Sequence, residues 1–172
     1  MKTVLLGYMG SGKSTVAKLL AKALNLPFTD LDDYIEKKEK KSVKELFKEK
    51  GEIYFRLQES KYLKEVLEDT SPGIIALGGG TPCYANNMEL IKQFSKSFYL
   101  KGSIATISER LQSEKSQRPL IAALNEEQLT EFIAKHLFER RAFYEQASKT
   151  VMIDGKTAEA IKDELITGLK TV

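Results

Sequence analysis

The sequence predicts an α/β fold in which helices cover both faces of a parallel β-sheet. Short apolar runs recur along the 172 residues, and stretches with helical periodicity separate them. The first run, KTVLL at residues 2–6, leads directly into a glycine-rich turn. Because strands that alternate with helices pair in parallel, their carboxyl ends meet at one edge of the sheet, where ligands bind in this fold class.

Five segments have the apolar, β-branched character of strands buried on both faces of a sheet. KTVLL is the first, and the second, LPFTDLD, ends in acidic residues. The third, GIIALGGG, ends in three consecutive glycines. The predicted strands cover residues 2–6, 26–32, 73–80, 96–101 and 150–154.

The segments between these strands have helical character. Residues 13–24 place apolar side chains at helical spacing. Residues 33–68 are rich in Lys, Glu and Leu, with a break at Gly51 and a capping box formed by Ser42 and Glu45. The remaining helices are expected from Asn86 or Asn87 to about Phe94, and over 104–112, 126–146 and 157–169.

Composition is that of one globular domain: 42% of residues are hydrophobic and 30% are charged. A net charge of +3 is too small to indicate nucleic acid binding, but it suits anionic small molecules. The single cysteine, Cys83, has no partner for an internal disulfide, and the chain opens on a strand-like run rather than a signal peptide. We expect no membrane segment, a cytoplasmic location and a monomer.

The segment GYMGSGKST at residues 7–15 fits the P-loop pattern G-x-x-x-x-G-K-[ST]. Glycines let the backbone turn its N–H groups inward, and the helix that follows directs its positive end at the same point. Lys13 is expected to reach the β- and γ-phosphates, and the Ser14 hydroxyl to ligate Mg²⁺. The predicted nucleotide-binding residues of this loop are Gly10, Ser11, Gly12, Lys13, Ser14 and Thr15.

The other motifs narrow the class of P-loop protein. The chain has no N-K-x-D signature of guanine binding, and its third strand does not end in an acid. The carboxylate needed near the magnesium ion must then come from another segment, DLDD. Strand alternation there would direct Asp30 and Asp32 to one face. One is expected to hold Mg²⁺ and the other to orient a substrate hydroxyl or accept its proton. Asp33 is expected to cap the next helix.

The arginines suggest sites for anions. Arg118 lies in a polar, basic excursion at 113–125 that contains Pro119, as expected of a lid over ATP phosphates, with Arg110 or Lys115 as possible helpers. Within the helix at 126–146, Arg140 lies within about 30° of the centre of the apolar stripe and Arg141 about 75° away. Arg140 is therefore the expected ligand and Arg141 a surface charge. The only histidine, His136, lies within a helix, and a structural role is expected for it.

These segments, taken together and in this order, resemble the shikimate kinase family. The resemblance rests on GYMGSGKST, DLD, GEIYFRLQE, GGG, RPLI and ERRAFYE, which span nearly the whole chain. It implies a three-layer P-loop NTPase fold, similar to nucleoside-monophosphate kinases, with a five-stranded parallel sheet of order 2-3-1-4-5. It also implies a single domain over 1–172, with a substrate-binding helical segment at about 33–62 and a mobile lid at about 112–125.

The resemblance further implies transfer of the γ-phosphoryl group of ATP, with Mg²⁺, to the 3-hydroxyl of shikimate, in the route to aromatic amino acids. The implied catalytic residues are Lys13, Asp32 and Arg118, and the implied metal contacts are Ser14 and Asp30. The acceptor would lie against Asp32, Arg56, Gly78, Gly79, Gly80 and Arg140. Glu59 matches a carboxylate near Arg56, and Thr157 lies in the weakly matched adenine loop.

Two other functions stay open from the residues alone. Another small-molecule P-loop kinase, acting on gluconate or a nucleoside monophosphate, would share the nucleotide site. The two arginines favour a carboxylate substrate over a neutral sugar. A nucleotide-binding regulatory module without catalysis would also keep a P-loop, although Lys13, Ser14, Asp32 and Arg118 together argue for an active enzyme.

Overall fold

A computed structural model of the chain describes residues 1–118 and 120–171. Its five strands form one parallel sheet of order β2-β3-β1-β4-β5, which confirms the predicted topology. Pro119, within the expected lid, and Val172 lie outside the described residues. The strands are β1 (Lys2–Leu6), β2 (Phe28–Asp30), β3 (Gly73–Ala76), β4 (Ser95–Lys101) and β5 (Lys149–Met152).

Helices connect the strands, as the sequence pattern predicts. Their bounds in the structure differ from the predicted bounds by a few residues. The α-helices are α1 (Lys13–Leu24), α2 (Leu31–Glu39), α3 (Val43–Glu68), α4 (Asn87–Phe94), α5 (Ile104–Glu114), α6 (Glu126–Tyr144) and α7 (Ala158–Lys170). Short 3₁₀ turns cover Thr81–Cys83 and Lys115–Gln117.

The core forms around β1, the central strand of the sheet. Val4, Leu5 and Leu6 are completely buried, because neighbouring strands and helices cover both faces. Helix α1 packs against α7 and β3, while α5 packs against α6. The apolar run that predicts β1 is thus explained by burial on both faces, as expected for a parallel sheet.

Two segments end differently from the sequence prediction. The second strand was expected to run to residue 32, but it ends at Asp30, whose side chain accepts hydrogen bonds from the N–H groups of Asp32 and Asp33 and so begins α2. The third strand was expected to include the glycines, but it ends at Ala76. In both cases the chain leaves the sheet at the edge where the predicted ligand residues follow.

Helix α3 is interrupted where the sequence predicts a break. Gly51 has φ 86° and ψ 170°, outside the helical region, so the segments on either side run in different directions. The capping box of Ser42 and Glu45 is present, with reciprocal hydrogen bonds of 3.1 and 2.8 Å. The kink separates residues 43–50 from the part of α3 that carries Arg56. Across the described ranges of the chain, no helix combines the length and apolar character needed to cross a bilayer.

We expect Gly7→Ala to destabilise the fold strongly. A Cβ at Gly7 would lie 2.7 Å from the backbone oxygen of Leu100 in β4, and the residue has φ 146°. The unfavourable backbone angle costs about 1–3 kcal/mol, and the overlap with a buried backbone atom adds a further cost of about 1–3 kcal/mol. Denaturant unfolding of the purified variant measures the sum.

Gly155→Ala is the matched control for this substitution. Gly155 also has a positive φ of 69°, but an added Cβ would meet no atom within 4 Å. It therefore carries no overlap and only the smaller backbone cost of the left-handed region, which other residues can adopt. Equal losses of unfolding free energy in the two variants would contradict the close approach of Gly7 to β4.

Candidate active site

A cavity of about 520 Å³ opens where β1, β2 and β3 end, at the carboxyl edge of the sheet. This is the position expected for a ligand in an open parallel sheet. It contains every predicted residue of the glycine-rich loop and both predicted acids. Its wall is formed by Met9, Gly10, Ser11, Gly12, Lys13, Ser14, Thr15, Val16, Asp30, Asp32, Leu77, Gly78, Gly79, Arg110, Glu114, Arg118, Ala158 and Ile161.

The glycine-rich loop has the geometry of an anion site. Gly12 adopts a left-handed conformation, with φ 84°, immediately before α1 begins at Lys13. The positive end of α1 and the loop N–H groups are thus directed at the cavity. The Lys13 ammonium group donates a hydrogen bond of 2.9 Å to the backbone oxygen of Tyr8. Burial lowers the pKa of Lys13 to about 8, although the Asp32 carboxylate opposes the shift.

The Asp30 carboxylate joins the two sides of the cavity. One oxygen accepts a 2.7 Å hydrogen bond from the Ser14 hydroxyl, and the other accepts from the N–H of Asp32 at 3.0 Å. Asp30, rather than Asp33, is therefore the cap of α2, and the expected role of Asp33 is corrected. Asp33 itself is exposed. Because Asp32 lies in the first turn of α2, the cap rather than strand alternation brings the two acids together.

Asp32 has the electrostatic environment of a proton acceptor. Burial, together with the charges of Asp30 and Glu59, raises the pKa of Asp32 to about 6, and Lys13 opposes this shift. A carboxyl group with such a pKa is ionised at neutral pH and close enough in basicity to accept a proton. Its side chain faces the loop after β3, where a Cβ at Gly78 would lie 3.2 Å from Asp32 Oδ1.

The three glycines after β3, Gly78–Gly80, form a surface that we call the glycine floor. Each approaches a different charged side chain. A Cβ at Gly79 would lie 3.4 Å from Arg140 Nη1, and one at Gly80 would lie 2.7 Å from Arg56 Nη2. Two guanidinium groups therefore lie against consecutive residues of the floor. A side chain at Gly80 would force Arg56 to move.

Arg56 is held in place by buried and aromatic partners. Its Nη1 donates a 2.8 Å hydrogen bond to Glu59, a carboxylate that is only 1% exposed. The guanidinium carbon lies 4.1 Å from the centre of the Tyr84 ring, within the range of a cation–π contact. The buried Nε has no hydrogen bond to the described residues, with Glu52 at 3.8 Å. Arg56 thus combines a fixed orientation with an unused donor.

Helix α6 brings Arg140 to the floor and directs Arg141 to the surface. The Arg140 guanidinium lies 5.7 Å from the centre of the Tyr8 ring. Tyr8 is buried, and its hydroxyl shares a 2.9 Å hydrogen bond with His136 Nδ1. The Arg141 side chain is 65% exposed and bonds to Glu145. The structure therefore brings only one of the two adjacent arginines to the site.

The lid residue Arg118 and Arg110 of the adjoining helix α5 bring two cations to the cavity. Arg118 donates hydrogen bonds of 3.0 and 2.7 Å to Glu114, and Arg110 lies 3.4 Å from the backbone oxygen of Gly10. The segment is not wholly irregular, because α5 continues to Glu114 and a 3₁₀ turn follows. Ile121 is completely buried and anchors its far end. Glu114 is thus the anionic partner of Arg118 in this structure.

Several site residues had no signal in the sequence. Ala158 and Ile161 of α7 contribute apolar wall to the cavity, whereas the predicted Thr157 caps α7 by accepting from the N–H of Ala160. Tyr144 donates a hydrogen bond to the Gly79 carbonyl of the floor, and Thr81, the residue after the floor, donates one to Glu59. The position of Tyr144 one turn after Arg140 on the apolar stripe is the one pattern that could have indicated it.

Comparisons with known proteins all point to one family. A family model described as shikimate kinase matches residues 9–170. A shikimate kinase of Flavobacterium johnsoniae is 49% identical over 166 residues, which cover 96% of each chain.

Solved structures show the same likeness. A shikimate kinase from Bacteroides thetaiotaomicron superimposes with a TM-score of 0.91 at 37% identity, covering 99% of this chain and 98% of that one. A shikimate kinase from Acinetobacter baumannii, solved in complex with shikimate, has a TM-score of 0.86 at 30% identity, covering 99% and 93%.

We expect Asp30→Ala to lower the free energy of unfolding, because α2 loses its N-terminal cap. The loss of a capping side chain costs about 0.5–2 kcal/mol. Asp30→Asn is the control, since an asparagine oxygen accepts the same backbone hydrogen bonds, and it should lose much less. Urea unfolding of both variants measures the difference. An equal loss in the two would show that the charge of Asp30, and not its capping bond, stabilises the fold.

Proposed function

The chain belongs to the shikimate kinase family and phosphorylates shikimate, and we propose that the cavity and the glycine floor together form its active site. The nucleotide would occupy the side of the cavity formed by the glycine-rich loop, and shikimate the side formed by the floor. The γ-phosphoryl group of ATP would pass to the 3-hydroxyl of shikimate, in the route to chorismate and the aromatic amino acids.

The observation that carries this assignment is the arrangement around the floor. Two guanidinium groups lie against Gly79 and Gly80, and the Asp32 carboxylate lies against Gly78. An acceptor with a carboxylate at one end and a hydroxyl at the other matches this arrangement, because the arginines pair with an anion and Asp32 with a hydroxyl. Shikimate has both groups. The bare backbone of the floor lets its ring approach closely.

On the nucleotide side, the residues supply positive charge and orientation. The loop N–H groups and the ammonium group of Lys13 would bind the phosphates, with Lys13 leaving its hydrogen bond to Tyr8. Arg118 would turn from Glu114 toward the transferring group when the lid closes. The apolar wall at Ala158 and Ile161 suits the adenine ring, and Gly155–Thr157 directly precede Ala158 in the chain. Closure of the lid would exclude water and so limit ATP hydrolysis.

The residues at the cavity also fit a magnesium ion. Ser14 and Asp30 offer hard oxygen donors 2.7 Å apart on its wall. Among the described residues, no group of three His, Cys, Asp or Glu side chains could hold a metal ion by itself, and Mg²⁺ usually takes one or two protein ligands together with substrate phosphates. When bound, Mg²⁺ would neutralise charge on the β- and γ-phosphates. Ser14 would contact it directly and Asp30 through water.

On the acceptor side, Asp32 would orient the 3-hydroxyl and accept its proton. Arg56 and Arg140 would bind the shikimate carboxylate through their guanidinium groups, which lie against Gly80 and Gly79. Family membership decides against the two alternatives left open by the residues, a kinase of another small molecule and a module without catalysis. We further propose that the enzyme acts as a monomer in the cytoplasm, where ATP is available.

We expect Asp32→Asn to reduce kcat by about 10²- to 10⁴-fold, the contribution typical of a positioned acid or base. Asp33→Asn is the matched control, because Asp33 is the next residue of the same helical turn but is exposed. It should leave kcat close to that of the parent enzyme. The measurement is shikimate-dependent ADP release with Mg²⁺ and ATP. Similar losses in both variants would remove Asp32 from its assigned role.

Arg140→Ala should raise the KM for shikimate much more than the KM for ATP. Losing one partner of a desolvated charge pair costs about 2–5 kcal/mol, or about 30-fold or more in affinity. Arg141→Ala, with the same change of charge one residue away, should alter neither constant because its side chain is on the surface. Steady-state kinetics with each substrate varied in turn makes the test. A matching rise in the KM for ATP would contradict the assignment of Arg140 to the acceptor.

A further inference from the structure

The glycine floor has no side chains with which to hold its own position. Its turn is closed by local backbone hydrogen bonds, from Thr81 N to Gly78 O at 3.2 Å and from Cys83 N to Gly80 O at 3.0 Å. These bonds shape the turn but do not fix it relative to the rest of the site. The sheet holds the start of the floor, since Leu77 N donates to Leu5 O at 3.1 Å, and the rest of the floor is located by groups on neighbouring elements.

The first such group is a buried network on the α3 side. The Thr81 hydroxyl donates a 2.7 Å hydrogen bond to Glu59 Oε2, and Asn87 Nδ2 donates a 2.8 Å bond to the Thr81 carbonyl. Glu59 is 1% exposed, and Thr81 and Asn87 are fully buried. Because Glu59 Oε1 accepts from Arg56 at 2.8 Å, a single carboxylate links the floor to Arg56.

The second group lies on α6. The Tyr144 hydroxyl donates a 2.5 Å hydrogen bond to the carbonyl oxygen of Gly79, the middle residue of the floor. The side chain is fully buried and lies one helical turn after Arg140. Burial raises the pKa of Tyr144 while Arg140 opposes the shift, so the hydroxyl stays protonated and remains a donor. Tyr144 thus links the floor to the helix that carries Arg140.

We propose that Thr81 and Tyr144 are positioning residues that hold the glycine floor between α3 and α6 and so set the affinity for shikimate. Each of these helices supplies one arginine and one link to the floor. The position of the floor relative to both helices therefore sets how far apart the two guanidinium groups lie. It also sets their distance from Asp32. This inference rests on the proposed role of the floor in binding the acceptor.

The test uses substitutions that remove only a hydroxyl. Thr81→Val leaves Glu59 Oε2 without its donor, and Tyr144→Phe leaves the Gly79 carbonyl without one. We expect each to raise the KM for shikimate by about 5- to 30-fold, the effect of leaving one buried polar atom unpaired. The KM for ATP should stay close to that of the parent enzyme, because neither residue contacts the glycine-rich loop through these bonds. Steady-state kinetics with each substrate varied in turn measures both constants.

Two controls make the same chemical changes away from the floor. Thr3→Val alters a buried threonine of β1, and Tyr99→Phe alters a tyrosine of β4 whose ring lies 5.1 Å from that of Tyr144. Neither control should change the KM for shikimate. Thr81→Ser keeps the donor and should restore a KM near that of the parent enzyme. A melting curve for each variant reports any loss of stability separately from the change in KM.

The outcomes separate positioning from a purely structural role. If Thr81→Val and Tyr144→Phe lower the melting temperature but leave the KM for shikimate unchanged, or raise both KM values equally, the proposal is overturned. If Thr81→Val does not fold, Tyr144→Phe alone decides, by the same criterion. If Arg140→Ala also leaves the KM for shikimate unchanged, the acceptor site itself is misassigned. If Arg140→Ala raises it while the two hydroxyl variants do not, only the positioning role fails.

Discussion

The hydrogen bonds of Asp30 are the interactions on which the arrangement of the site depends. A single carboxylate ends β2, caps α2 and accepts from Ser14 in the glycine-rich loop. It therefore sets the position of Asp32 relative to the helix that would bind the phosphates. This link joins the nucleotide side to the acceptor side in addition to the sheet and to the contacts of Tyr8 with Arg140 and His136. The transfer of a phosphoryl group between two substrates requires such fixed relative positions.

Positively charged side chains lie on both sides of the site, which suits anionic substrates on each side. Lys13 and Arg118 face the nucleotide side, and Arg56 and Arg140 face the floor. Burial of Lys13 lowers its pKa, because the ammonium group has little solvent and only partial compensation from Asp32. Phosphates would supply the missing negative charge. The carboxylate of Glu59 does the same for Arg56 within the protein, through a 2.8 Å ion pair with its Nη1.

Much of the fold and a large part of the site could be predicted from the sequence. The alternation of strands and helices gave the parallel sheet, and helical periodicity separated the inward Arg140 from the exposed Arg141. The prediction for Asp32 reached a suitable residue by the wrong argument, since Asp32 belongs to a helix and not to a strand. Alternation within a strand does not reveal that the next helix is capped by Asp30, three residues before the expected cap at Asp33.

What the sequence determined by itself is therefore local: the glycine-rich loop with Lys13 and Ser14, the order of the strands along the chain, and the spacing of apolar positions. The resemblance of its motifs to a known family predicted the identity of the acceptor substrate and the order of the strands within the sheet. Only the tertiary structure decided that Thr81 bonds to Glu59 across 22 residues and that Tyr144 bonds to Gly79 across 65. The physical reason is that such bonds join buried groups on separate elements. Their partners are fixed by how the helices pack on the sheet, and no periodicity along the chain records that packing.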